Sequence, residues 1–169
     1  MNHVERALIE TPSTEQCQPR RRLVGVDYGT VRIGLAFADS ESGIASPLEN
    51  YNRRSPTADA ERFQRLAAEE AVDLFVVGLP VHLDGGESQK SQEARQFGEW
   101  LTEVTGVPVE YYDERFTSVE AEQILGAAQL TKKQRKRRLD ALSAQIMLSG
   151  YLESRGGSQP PQSLDDRGD

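Results

Sequence analysis

The chain has 169 residues, 37% hydrophobic and 28% charged, with a net charge of −7; this length predicts one domain able to bury its own core. No apolar stretch approaches the roughly 20 residues of a membrane span, and the single cysteine, Cys17, excludes an internal disulfide or a cysteine-rich zinc site. The opening residues, MNHVERALIETPSTEQCQPRRR, contain no continuous apolar core of a secretory signal, so a cytoplasmic protein is expected.

Residues 1–21 are polar and without a period, and residues 154–169 are rich in Gly, Pro, Ser and Asp. Both read as disordered tails around one domain at 22–153. Within it the apolar run Leu23–Asp27 predicts a first strand and Arg32–Ala38 a second, joined by the tight turn Tyr28-Gly29-Thr30. A third strand near Gly43–Tyr51 is weakened by Pro47. Short connections make these three a meander. Residues 57–70 carry Ala60, Phe63 and Ala67 at helical spacing, with Leu66 beside them. The fourth strand, Leu74–Gly78, is apolar throughout, as a strand covered on both faces should be. A helix over 88–104 presents Ala94, Phe97, Leu101 and Val104; a fifth strand spans Val107–Tyr112. Thr117 or Ser118 caps a helix beginning near Val119, and a last helix runs from about Leu139 to Glu153. The order βββαβαβαα describes an α/β domain with a mixed five-stranded sheet flanked by helices.

Three acidic positions stand where chemistry gathers in open α/β sheets, outside the carboxyl ends of parallel strands. Asp27 ends the first strand, Asp113 and Glu114 end the fifth, and Asp140 is expected at the start of the last helix. If the first and fifth strands are close, these carboxylates meet and offer the hard oxygen ligands that magnesium requires. Gly29, lacking a Cβ, leaves room for backbone or phosphate beside Asp27. Just before Asp140, Lys132-Lys133-Gln134-Arg135-Lys136-Arg137-Arg138 holds six basic residues in seven, reversing the sign of the chain locally. Each feature has an ordinary structural reading: a turn acid at a strand end, a surface ion pair at Asp113-Glu114-Arg115, a helix-dipole acid at Asp140, a solvated basic loop. His82 reads as a loop residue, and Phe63, Phe97, Trp100 and Met147 as packing. The acids and the basic run together favour a site.

Val26-Asp27-Tyr28-Gly29-Thr30-Val31-Arg32-Ile33-Gly34, Val77-Gly78-Leu79-Pro80 with Asp84-Gly85, Asp113-Glu114-Arg115-Phe116-Thr117-Ser118-Val119-Glu120-Ala121, and Lys136-Arg137-Arg138-Leu139-Asp140 resemble the motifs of the YqgF family. The resemblance covers about Leu23 to Glu153. It implies an RNase H-like fold and a nuclease dependent on Mg2+ or Mn2+, processing the 5′ end of precursor 16S ribosomal RNA or resolving Holliday junctions. It implies catalytic and metal-binding roles for Asp27, Glu114 and Asp140, with Asp113 a further metal ligand. His82 and the Ser143-Ala144 pair depart from the family's usual residues without removing a ligand. For phosphate contacts the chain offers Arg32, Lys132, Lys133, Arg135, Lys136, Arg137 and Arg138.

Precursor ribosomal RNA is the favoured partner. Cleavage of branched DNA is the enzymatic alternative and requires two active sites related by symmetry; a monomer is favoured over a homodimer. A non-catalytic nucleic-acid-binding module is the second alternative. An ATP-binding protein of the actin and sugar-kinase type shares the Asp-x-Gly-Thr loop but requires a second domain, for which there is no room.

Overall fold

A computed structural model of the protein describes residues 19–80, 87–113 and 131–156, without the side chains of 135–137 and 156. Most of the two expected tails, His82, Glu114 and the helix expected near Val119 lie outside the described residues. The elements are β1 (Arg22–Asp27), β2 (Arg32–Asp39), β3 (Ile44–Asn52), α1 (Pro56–Glu69), β4 (Leu74–Leu79), α2 (Gln89–Thr105), β5 (Val109–Asp113) and α3 (Lys132–Gly156). They form one five-stranded sheet in the order β3-β2-β1-β4-β5. The first three strands are the expected antiparallel meander, and β4 runs parallel to both β1 and β5. β4 therefore separates the two strands whose terminal acids were expected to meet.

Pro47 is accommodated because β3 is an edge strand, where a missing N–H costs no ladder bond on the open side. The register slips at Leu35/Ala36, beside Pro47. Helix α1 starts at a Ser55 N-cap, whose hydroxyl accepts from Ala58 N at 3.2 Å, followed by Pro56 in the first turn. Helix α2 starts at Ser88 and ends at Gly106, whose φ of 71° is the left-handed cap conformation that glycine adopts without strain.

Side-chain alternation divides the core in two. Val24, Val26, Ile33, Leu35, Phe75 and Val77 face α1 and α2. There the ring of Phe63 meets those of Tyr51, Phe97, Trp100 and Phe75 edge-on, with centroids 5.6 to 6.4 Å apart. Leu23, Ala36, Ala38, Ala45, Leu74 and Val76 face α3, against Ala144, Met147, Leu148 and Tyr151. The contrast along β2 is one of size: Ile33, Leu35 and Phe37 point one way, Gly34, Ala36 and Ala38 the other. The small residues let α3 lie close to the sheet.

The last helix begins at Lys132, not near Leu139 as expected. The basic run is its first two turns. Lysine, arginine and glutamine are strong helix formers, and Thr131 and Gln134 make a capping box. Gln134 N donates to Thr131 Oγ1 at 3.3 Å, and Thr131 N to Gln134 Oε1 at 2.9 Å. Asp140 consequently stands two turns inside the helix, where a helix-dipole role has little force.

Candidate active site

β1 delivers Asp27 to the carboxyl end of the sheet. Leu23 and Gly25 face α3; a Cβ on Gly25 would stand 3.0 Å from Leu148 Cβ and 3.1 Å from Ala144 O. Two residues further on, alternation carries Asp27 to the same face. Its partner across the ladder is Gly34. A Cβ on Gly34 would fall 1.9 Å from the carbonyl oxygen of Asp140 and 2.2 Å from its carbon. The backbone of α3 thus rests on β2 beside Asp27, and residues from opposite ends of the domain share one corner.

Polar contacts hold that corner, two of them to α3 among the described residues. Arg32 Nε donates to Asp140 Oδ2 at 2.8 Å, with both side chains partly exposed. Asn50, the partner of Gly34 on β3, accepts from Ala141 N at 2.6 Å. Arg32, considered from sequence as a phosphate ligand, is therefore engaged with an acid of the candidate site. Gly29 also has an internal reason: its Cβ would lie 2.3 Å from Arg32 O, so the turn closes on its own backbone.

Asp113 ends β5 opposite Leu79. On that strand Val109 and Tyr111 pack on the α1/α2 side and Tyr112 on the α3 side. By the same alternation Asp113 falls on the α1/α2 side, away from the face that carries Asp27. Glu114 lies outside the described residues. Among the described residues no group of three His, Cys, Asp or Glu side chains is placed to hold one ion. The donor chemistry that is present, carboxylate oxygens at Asp27 and Asp140, fits a hard divalent cation such as Mg2+ or Mn2+ rather than a soft metal.

Lys132, Lys133 and Arg138 are exposed on the turns of α3 that precede Asp140. Lys133 is seven residues before Asp140 and so on the same side of the helix. The side chains of Arg135, Lys136 and Arg137 lie outside the described set.

A buried network supports the turn after β1, and sequence reasoning missed it. Asp59, 1% exposed, accepts from Tyr51 Oη at 2.7 Å, Arg54 N at 2.9 Å and Arg53 Nε at 3.1 Å. Arg53 in turn donates to the hydroxyl of Tyr28 at 3.2 Å, and its backbone N–H to Val31 O at 3.0 Å. Both ends of the turn beyond Asp27 are thereby tied to α1. The only signal in the sequence was an acid in the first turn of a helix, which dipole arguments already explain.

Burial pushes the Asp59 carboxyl up, but the Arg54 N–H, the Tyr51 hydroxyl and the Arg53 guanidinium outweigh it, and the pKa falls below its ordinary 3.8. Burial, then the bond to Asp59, raises Tyr51 to about 12. A carboxyl whose pKa is lowered by folding adds stability above the unfolded value and loses it as pH falls through the folded one. Urea unfolding from about pH 6 to about pH 3 is expected to show that loss. Asp59→Asn should flatten this part of the profile and cost about 2 kcal/mol at neutral pH; an unchanged profile would remove Asp59 as its source.

With this geometry in place, comparison with known proteins decides the family. The model of the RuvX family, described as Holliday junction resolvase, matches residues 21–154. The chain belongs to the RuvX family. This is the YqgF family that its motifs resemble. A Rhodopirellula baltica protein named "Putative pre-16S rRNA nuclease" is 49% identical over 133 residues, which are 79% of this chain and 77% of that one. An Anaeromyxobacter protein of the same name is 40% identical over 134 residues, 79% of this chain and 98% of that one. Among solved structures, Thermus thermophilus RuvC in complex with a Holliday junction substrate aligns with a TM-score of 0.51 at 19% identity, covering 84% of this RuvX-family chain and 99% of RuvC. Fowlpox virus resolvase with Holliday junction DNA aligns with a TM-score of 0.51 at 12% identity, covering 79% and 98%. At these identities the likeness shows the fold, which is RNase H-like as the motifs implied. No helix among the described residues is long and apolar enough to cross a membrane.

Proposed function

We propose that this RuvX-family protein is a nuclease that hydrolyses phosphodiester bonds with a divalent metal, Mg2+ or Mn2+, and acts in the cytoplasm on the 5′ end of precursor 16S rRNA. The observation that carries the reading is the contact of Asp140 with Gly34, which sets Asp140 beside Asp27 at the carboxyl end of the sheet. The names of the relatives support the substrate. In this reading Asp27, Glu114 and Asp140 hold the metal. Glu114 is preferred over Asp113 because alternation along β5 puts Asp113 on the α1/α2 side, away from Asp27. A bound divalent ion supplies an activated water and neutralises charge on the phosphate. Arg32 orients Asp140. Lys132, Lys133 and Arg138, with Arg135, Lys136 and Arg137, hold the phosphate backbone and set affinity rather than sequence choice.

The family's description and the fold favour a second reading, resolution of branched DNA. It requires a dimer with two such sites, whereas the first is satisfied by the monomer. Incubation of the pure chain with precursor 16S RNA and with a four-way DNA junction, each with Mn2+, Mg2+ or a chelator, separates them. Metal-dependent shortening of the RNA 5′ end is expected. Cleavage of the junction alone would transfer the assignment to DNA, and no cleavage of either would leave a binding module.

A further inference from the structure

The edge strand β3 and the exposed side of α1 enclose a cleft of about 340 Å³. Its helical wall is one face of α1, where Ala58, Glu61, Arg62 and Arg65 recur at intervals of three and four residues. Its other wall is β3 from Glu49 to Asn52, and Arg54 joins from the β3–α1 connection. Three guanidiniums line this space. Arg62 is paired with Glu49 and neutralises it. Arg54 and Arg65 are exposed, and among the described residues neither has a carboxylate within ion-pair distance. Two such guanidiniums beside one cleft offer an anion two planar forks that match phosphate oxygens.

The cleft lies across the edge strand β3 from the candidate active site, with α1 on one face of the sheet and α3, carrying Asp140, on the other. Asn50 belongs to both: it lines the cleft and accepts from Ala141 N, next to Asp140. Asn52, also in the lining, is the ladder partner of Arg32, which holds Asp140. A strand bound at Asp27 and Asp140 that rounds the sheet edge at Asn50 and Asn52 reaches Arg54 and Arg65. The volume is at the low end for ligand sites and suits a single strand, not a duplex.

We propose that the β3–α1 cleft is a second phosphate-binding subsite, in which Arg54 and Arg65 hold the backbone of single-stranded nucleic acid adjoining the scissile segment. It rests on the nuclease reading and adds residues outside the basic run of α3. Binding of a labelled single-stranded RNA to the full chain, followed by anisotropy across a salt series in chelator, tests it. For a single strand, each phosphate that the protein neutralises accounts for about 0.7 of the log–log salt slope. Arg54→Gln with Arg65→Gln should lower the slope by about 1.4 and weaken binding about tenfold at low salt. Arg54→Lys with Arg65→Lys should restore most of the slope, because counterion release follows charge. Lys132→Gln with Lys133→Gln provides the reference for phosphates held by α3. An unchanged slope in the double glutamine variant, with a reduced slope in the α3 variant, would overturn the subsite and leave the nuclease reading standing. An equal weakening of duplex RNA binding would overturn the single-strand assignment. A wild-type chain that binds no RNA would remove both.

Discussion

Asp27→Asn is expected to lower metal-dependent cleavage by roughly 10²-fold or more while the chain stays folded. The substitution keeps the shape of the side chain and removes one of the charges that the ion requires. Metal binding itself gives a readout independent of turnover. An ion that binds only the folded state raises its stability by about 2.7 kcal/mol at one hundred times its Kd. Wild-type protein should therefore show a midpoint of thermal unfolding that rises with Mn2+, and Asp27→Asn should lose most of that rise. Asp113→Asn, on the other side of the pleat, should keep both the rise and the cleavage. Equal effects at Asp27 and Asp113 would mean that the metal sits between the two sheet faces and not under α3. Full cleavage by Asp27→Asn would place the chemistry elsewhere.

Gly34→Ala should be the most damaging single methyl group that can be added near the site. The new carbon would stand 1.9 Å from Asp140 O, 2.2 Å from its carbonyl carbon and 2.9 Å from Ala141 N. All three are backbone atoms, so no side chain can rotate away; α3 itself must move. Overpacking commonly costs about 1–3 kcal/mol, and a clash with main chain should exceed about 3 kcal/mol, a large part of the stability of a domain this size. The displacement also pulls Asp140 from Asp27 and strains the Asn50 and Arg32 contacts, so activity should fall with stability. Gly25→Ala, on the same face of β1, is the comparison: its Cβ would meet Leu148 Cβ at 3.0 Å, which a few tenths of an ångström of adjustment relieves. Urea unfolding of both variants should show Gly34→Ala losing at least twice as much. Equal costs would mean that α3 does not depend on the glycine at this crossing.

The strands were legible because each is a short apolar run bounded by turn residues, and their parity could be read off directly. The alternation of Ile33, Leu35 and Phe37 with Gly34, Ala36 and Ala38 was also present in the sequence. Its meaning was not, since small residues on one face say only that something comes close. The start of α3 was misplaced because a run of lysine and arginine reads as a solvated loop when charge is weighed before propensity. The Thr131–Gln134 capping box was the local signal that would have corrected it. The Asp59 network had no comparable signal: Tyr51, Arg53 and Asp59 are ordinary polar residues until β3 and α1 pack and remove water from between them.

What the sequence by itself determined was the set of parts: five strands, an acid closing the first of them, a basic run leading to Asp140, and motifs specific enough to name the family. These depend on neighbours along the chain, within reach of propensity and period. Which acids share a corner was decided only in three dimensions. Arg32 and Asp140 are 108 residues apart, and their contact follows from strand order, from ladder register and from a glycine that lets a helix backbone touch a strand. A one-residue slip of β1 in its ladders would turn Asp27 to the opposite face. No local rule encodes that outcome, because it is chosen by the packing of both sheet faces at once.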